Sequence, residues 1–261
     1  MIPSTTATTT AITTAHFAGD FEAHLTVRAD DGPATVEALE RYAAGHGMKC
    51  AHIVLDRGRT PSQPMLTLRG SGRLPEVREA VEAAARGVRG AGFAVVRTKI
   101  EATPWAEGVP RTDAEAAALG ARYYFEHHVK LLLTPGTDTS ALTTLAEAHA
   151  THLSRNARRV RADGRAERFV TQRCRLMGRP TAERRLNALL TALRDAGYDI
   201  ASSEREFVVH DSDETVDDGW IDEETSDETS DETSDETPDE TPDETSDETP
   251  EETTTTEDVN R

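Results

Sequence analysis

The chain has 261 residues and a formal net charge of −19, from 48 acidic against 29 basic residues. Twenty-four of the acidic residues and one of the basic lie from Asp211 onward, so residues 1–210 carry 24 acidic and 28 basic residues, a charge near +4. A body this weakly basic fits a small anionic ligand, such as a nucleotide or phosphate ester, better than nucleic acid, which is only weakly supported. No stretch approaches the roughly 18 consecutive apolar residues of a membrane helix.

Residues 1–18 are rich in Thr and Ala and lack the basic start and apolar run of a secretory leader. They are expected to be disordered. Two cysteines, Cys50 and Cys174, have neither disulfide-framework nor metal-ligand spacing, which points to reduced thiols and a cytoplasmic protein.

Residues 21–28 alternate apolar and polar and predict a half-buried strand. Helical spacing of Val36, Leu39, Tyr42 and Ala43 predicts a helix over 35–47. Strands follow at 50–56 and 65–69, joined by a loop at 57–64. A helix at 75–90 opens with proline and closes with glycine, and a strand at 93–101 completes a βαββαβ order. Residues 106–122 form a part-helical link.

The same order then returns. A strand is predicted at 124–132, a helix at 139–153, strands at 156–161 and 168–173 around the turn dipeptide Asp163-Gly164, a helix at 181–196 and a strand at 200–209. The recurrence is a sequence repeat: Phe21-Glu22-Ala23-His24 reappears 104 positions later as Phe125-Glu126-His127-His128. The same offset carries Thr67 to Thr171 and Arg69 to Arg173, while Val88 to Phe93 returns one residue later as Leu193 to Tyr198. A fixed period marks duplicated structure. It predicts an α+β body of two tandem ferredoxin-like βαββαβ repeats, at 19–105 and 123–212, joined by 106–122, each with one sheet and helices on one face.

The C-terminal segment, 213–261, is expected to be a disordered acidic tail. Ser226-Asp227-Glu228-Thr229 recurs there with Ser or Pro leading, and one sign of charge with few apolar residues cannot repay the entropy of ordering.

Period-two alternation sorts the strands of each repeat. Phe21, Ala23, Leu25 and Val27 face the helices, and Glu22, His24, Thr26 and Arg28 face away. In the second copy Glu126, His128 and Lys130 face away, opposite His127, Val129 and Leu131. Thr67, Arg69, Thr171 and Arg173 fall on the same open faces, joined by Arg97, Lys99 and Glu101 on one fourth strand and Glu204 and Glu206 on the other. Identical polar types at repeat-equivalent positions point to one polar site, with His24 and His128 facing one shared cleft. Arg57 and Arg59, in the loop between prolines, are candidates to clamp a phosphate at its edge. Trp105 and Trp220 are expected to cap the two cores, and His152-Leu153-Ser154 to end a helix.

His24-Leu25-Thr26 on a strand of a duplicated α+β body resembles the His-x-Thr motif of the 2H phosphoesterases. That resemblance implies a phosphodiesterase using no cofactor, with His24 and His128 as general acid and base and Thr26, Lys130, Arg69 and Arg173 holding the phosphate. The second copy departs from the motif, with Lys130 where the hydroxyl belongs. Glu126-x-His128-x-Lys130 and Glu204-x-Glu206 also resemble the Glu-x-Glu-x-Lys and Glu-x-Glu strands of the CYTH or triphosphate-tunnel group. This second resemblance implies a closed barrel, a divalent metal on Glu22, Glu126, Glu204 and Glu206, and a polyphosphate on the basic side chains. A third alternative is an anion-binding or protein-interaction module without catalysis.

Overall fold

The computed structural model describes residues 15–220, apart from 30–31 and 159–160. The expectations of disorder for 1–14 and 221–261 lie outside the described residues, and that for 15–18 is corrected, since Phe17 is buried in the core and Ala18 opens the first strand. The first repeat runs β1 (Ala18–Val27), α1 (Pro33–Gly45), β2 (Lys49–Leu55), β3 (Ser62–Arg73), α2 (Leu74–Gly90) and β4 (Val95–Ala102). After α3 (Asp113–Leu119), the second runs β5 (Tyr124–Leu133), α4 (Ser140–Ala148), β6 (Thr151–Asn156), β7 (Ala166–Arg175), α5 (Arg179–Asp195) and β8 (Asp199–Asp211).

Each repeat has the ferredoxin-like order, with its first and third strands in the middle: β4-β1-β3-β2 and β8-β5-β7-β6. The two sheets do not stay separate. Strand β4 pairs with β8, and β2 pairs with β6 through Ile53–Asn156, Val54–Arg155 and Leu55–Ser154, closing one eight-stranded barrel. A four-stranded ferredoxin-like sheet leaves two edges with unpaired backbone groups, and two copies satisfy each other's edges by joining.

The helices lie outside the barrel, where the apolar alternation sends its residues. Leu74, Val77, Val81, Ala85 and Val88 form the buried stripe of α2, at i, i+3 and i+4 spacing, and pack with Phe21, Ala23, Leu25 and Leu66. In the second copy Leu186, Leu189, Leu190 and Leu193 of α5 pack with Val129, Leu131 and Val170. Removing one such Val or Leu from water contributes about 1.5–3 kcal/mol. The faces turned away from the helices line the barrel interior. No described helix is long and apolar enough to cross a membrane.

Three further expectations are corrected. The helix expected over 139–153 ends at Ala148, and His152-Leu153-Ser154 lies on strand β6. The chain breaks the helix at Ala150, which adopts φ 49°. The corresponding turn of the first repeat has Gly47, at φ 67°. Sequence periodicity ran on through Leu153 because no glycine marked the stop.

Residues 213–220 do not belong to a tail. They form a 3₁₀ turn, Glu214–Asp217, and a strap ending at Trp220, with Val216, Asp217 and Trp220 buried. Trp220 is 5% exposed and closes over the barrel, whereas Trp105 is 68% exposed and caps nothing.

Candidate functional site

The barrel encloses a cavity of about 270 Å³. Six basic side chains line it, His24, Arg97, Lys99, His128, Lys130 and Arg173, interleaved with five acidic ones, Glu22, Glu126, Glu204, Glu206 and Asp217. Alternation on strands β1, β4, β5, β7 and β8 delivers all but Asp217, since every second residue points inward, and Asp217 enters from the 3₁₀ turn that follows β8.

The two histidines occupy equivalent positions in this lumen. His24 reaches Thr67 Oγ1 through Nδ1 at 3.1 Å and Glu101 Oε2 through Nε2 at 3.1 Å. His128 reaches Thr171 Oγ1 through Nδ1 at 3.0 Å and Glu206 Oε2 through Nε2 at 3.4 Å. The register dictates this arrangement. His24 is directly across from Thr67 and His128 from Thr171, while Glu101 and Glu206 stand one pleat along on the other flanking strand.

Burial alone would lower both imidazoles. The hydrogen bond and charge of Glu101 overcome it and raise His24. His128 is pushed up to about 9, where Glu206 and then Glu126 outweigh burial. His128 is therefore an imidazolium at neutral pH and donates from both nitrogens, and His24 is shifted in the same direction.

The two halves differ around this shared set. Buried Lys99 lies 2.6 Å from Glu101 Oε1 and 2.8 Å from Glu126 Oε2. Burial would raise Glu126, but Lys99 and Arg173 hold it down at about 2. Burial would likewise raise Glu101, but Lys99 and His24 hold it well below the carboxylate range. The repeat-equivalent positions of Lys99 and Glu101 carry Glu204 and Glu206. Glu206 is pushed up, by burial first and then by the charge of Glu101.

At one end of the lumen Arg97 grips Asp211 with two bonds, 2.9 and 2.5 Å, and reaches Asp217 Oδ2 at 2.8 Å. Arg173 reaches the same oxygen at 2.5 Å, and Gln63 Nε2 donates to Asp217 Oδ1 at 3.0 Å.

The structure thus brings His24, His128, Thr26, Thr67, Lys130, Thr171, Arg173, Glu22, Glu126, Glu204 and Glu206 to one cavity. Lys130 stands over the Phe169 ring, 5.3 Å from its centroid. Arg69 does not line the lumen. It pairs with Glu22 at 2.7 Å, in a groove that shares Glu22, Glu204 and Glu206 with the lumen. Arg57 and Arg59 also lie outside it. Arg57 bonds Glu147 at 3.0 Å and the Trp220 carbonyl at 3.4 Å, and Arg59 pairs with Asp218 at 3.3 Å, so this turn holds the strap.

Gln63, Asp217 and the pairing of Glu101 with His24 are what the sequence reading missed. The link from Glu101 to Glu206 was recoverable, because the 105-residue offset that carries Val88 to Leu193 also carries Glu101 to Glu206. Asp217 had no signal, since it lies in a run rich in Asp and Glu.

The residues present fit a divalent cation. Among the described residues, Glu101, Glu126 and His128 offer donor atoms within 4.8 Å of one another. Glu101 Oε1 is buried without an aligned hydrogen-bond donor, although Lys99 lies beside it. Two carboxylates and one imidazole suit a transition-metal ion such as manganese better than magnesium, which takes oxygen ligands.

No protein-family model and no curated protein matches the chain. Among solved structures, it is similar to the small subunit of acetolactate synthase from Thermotoga maritima at 13% identity and a TM-score of 0.26, over 72% of this chain and 94% of that one. The regulatory subunit of aspartate kinase from Thermus thermophilus matches at 13% identity and a TM-score of 0.26, over 68% and 95%. A mutant chlorite dismutase from Candidatus Nitrospira defluvii matches at 13% and 0.23, over 77% and 93%.

Proposed function

We propose that the lumen takes up a short phosphoanhydride or phosphate ester together with a divalent cation and hydrolyses a P–O bond, as the resemblance to the triphosphate-tunnel group implies. The observation that carries this reading is the closed barrel with acidic and basic side chains interleaved on its inner wall. A lumen with six basic and five acidic residues is nearly balanced and favours neither a bare polyanion nor a bare cation. It suits the two together. Closure also removes the open cleft between two lobes that the phosphodiesterase resemblance implies.

Glu101, Glu126 and His128, the last giving up its ring proton, would hold the cation. A divalent ion bound there supplies charge against phosphoryl oxygens and acidifies a bound water. The chain's own residues do the rest. Arg173 and Lys130 neutralise the phosphate chain. Lys99, displaced from Glu101 and Glu126, adds a third positive charge. His24, held by Thr67 and Glu101, delivers a proton to the leaving oxygen.

The matched Thr–His–Glu sets favour a second reading, metal-free acid–base cleavage of a phosphodiester by His24 and His128. Phosphate release from tripolyphosphate and turnover of 2′,3′-cyclic nucleotides, each with manganese and with EDTA, separate the two. Manganese-dependent release from tripolyphosphate supports the first. Cyclic nucleotide turnover in EDTA replaces it with the second. Saturable binding of either compound without turnover reduces the lumen to a binding site.

A further inference from the structure

The end of the lumen beside Arg97 and Arg173 is filled by the chain itself. Asp217, 4% exposed, places one carboxylate oxygen between the two guanidiniums and the other on the Gln63 amide. Three buried donors from three different strands converge on a single anionic group. That is the geometry of an oxyanion receptor, because guanidinium and amide N–H groups match carboxylate and phosphate oxygens alike.

The fit to a carboxylate leaves something over. Arg173 Nε is buried with no hydrogen-bond partner and has only an ion-pair contact of 3.6 Å with Glu126. A buried donor without an acceptor costs about 1–3 kcal/mol. A phosphate carries more acceptor oxygens than the carboxylate now present and can take up such a donor.

The occupant arrives on a detachable segment. Residues 213–220 contain one 3₁₀ turn and a single bridge residue, Asp218, but no strand. They are held by the Glu214–Arg175 and Asp218–Arg59 pairs, by Arg59 N–H donating to the Asp218 carbonyl at 2.8 Å, and by Trp220 Nε1 donating to the Leu153 carbonyl at 2.9 Å. The two ion pairs involve partly exposed side chains, which contribute little each.

We propose that Arg97, Arg173 and Gln63 form a phosphate-binding subsite at this end of the lumen, occupied in the resting protein by the Asp217 carboxylate as an internal competitor. Phosphate entry then exchanges one anion for another and releases the strap. The subsite requires only a phosphate group and stands whether or not the lumen hydrolyses anything.

The test uses the full-length chain, with inorganic pyrophosphate as probe and titration calorimetry in EDTA as readout. Asp217→Ala and the near-isosteric Asp217→Asn remove the competitor's charge. Each is expected to bind pyrophosphate about tenfold or more tightly than the parent chain, the gain expected when the open state is populated to roughly 10% or less. Adding Arg97→Ala to Asp217→Asn is expected to abolish the gain. A folded Asp217→Asn protein with unchanged affinity overturns the proposal, as does a gain that survives Arg97→Ala. If Asp217→Ala melts early, millimolar pyrophosphate is expected to raise its melting temperature more than that of the parent. Equal shifts for the two proteins also overturn it.

Discussion

His24 places its Nε2 3.1 Å from Glu101 Oε2, a strand away and one pleat along, and this single contact sets the protonation of the ring. Burial pulls the imidazole down and Glu101 pulls it up further. In Glu101→Gln the burial stays and the charge goes, so His24 is expected to titrate below its ordinary 6.5, read by NMR of the ring protons. A His24 titration still above 6.5 in that variant shows that another group sets it.

Stability depends on pH through the second histidine. His128 is raised from 6.5 to about 9, so its contribution is complete below 6.5 and is lost as pH rises through about 9. Melting temperature is therefore expected to fall between these values, and His128→Asn to flatten that fall. An unchanged slope in the variant places the alkaline titration elsewhere.

Lys99 joins Glu101 and Glu126, both buried, and its removal leaves two carboxylates facing each other. Lys99→Met is expected to cost about 3–5 kcal/mol in EDTA, the usual penalty for breaking a buried pair from one side. If these carboxylates can hold a divalent ion, manganese should restore much of the lost melting temperature in Lys99→Met and do little for the parent. Equal manganese responses in the two proteins count against a cation at Glu101 and Glu126.

Much of this architecture was legible because the duplication ties distant residues together. The Phe-Glu-x-His recurrence fixed the strand faces of β1 and β5, and with them the inward direction of Glu22, His24, Glu126 and His128. Closure was not legible. It depends on edge pairings such as Leu55 with Ser154 and Ile100 with His210, which leave no pattern within either strand. Asp217 was hidden for another reason. Its burial comes from Arg97, Arg173 and Gln63, which lie 44 to 154 residues away in sequence.

Ala150 takes up φ 49° at the turn where the first repeat has Gly47. A left-handed conformation costs a residue with a Cβ about 1–2 kcal/mol, of which a glycine gives back part through its freer unfolded state. Ala150→Gly is expected to stabilise the protein by about 0.5–1 kcal/mol in urea unfolding. The same substitution at Ala146, buried inside α4, is expected to destabilise it by at least about 1 kcal/mol. Equal signs for the two variants would mean that the Ala150 turn is not strained.

The described fold continues past Ser212 as far as Trp220, and truncation reads the worth of that strap directly. Residues 221–261 carry 19 acidic residues and one basic one, and add like charge beside a strap that already contains Asp213, Glu214, Asp217 and Asp218. A chain ending at Trp220 is expected to keep its melting temperature or gain slightly at low salt, with the difference shrinking as the Debye length falls toward roughly 8 Å at physiological ionic strength. A chain ending at Ser212 loses the buried Trp220 ring and leaves Arg173 without its 2.5 Å partner. It is expected to be destabilised by about 3 kcal/mol or more, combining an aromatic truncation with an unpaired buried charge. Pyrophosphate should recover part of that loss by occupying the vacated guanidiniums. If both truncations melt alike and ignore pyrophosphate, the strap holds nothing in place and the barrel is complete without it.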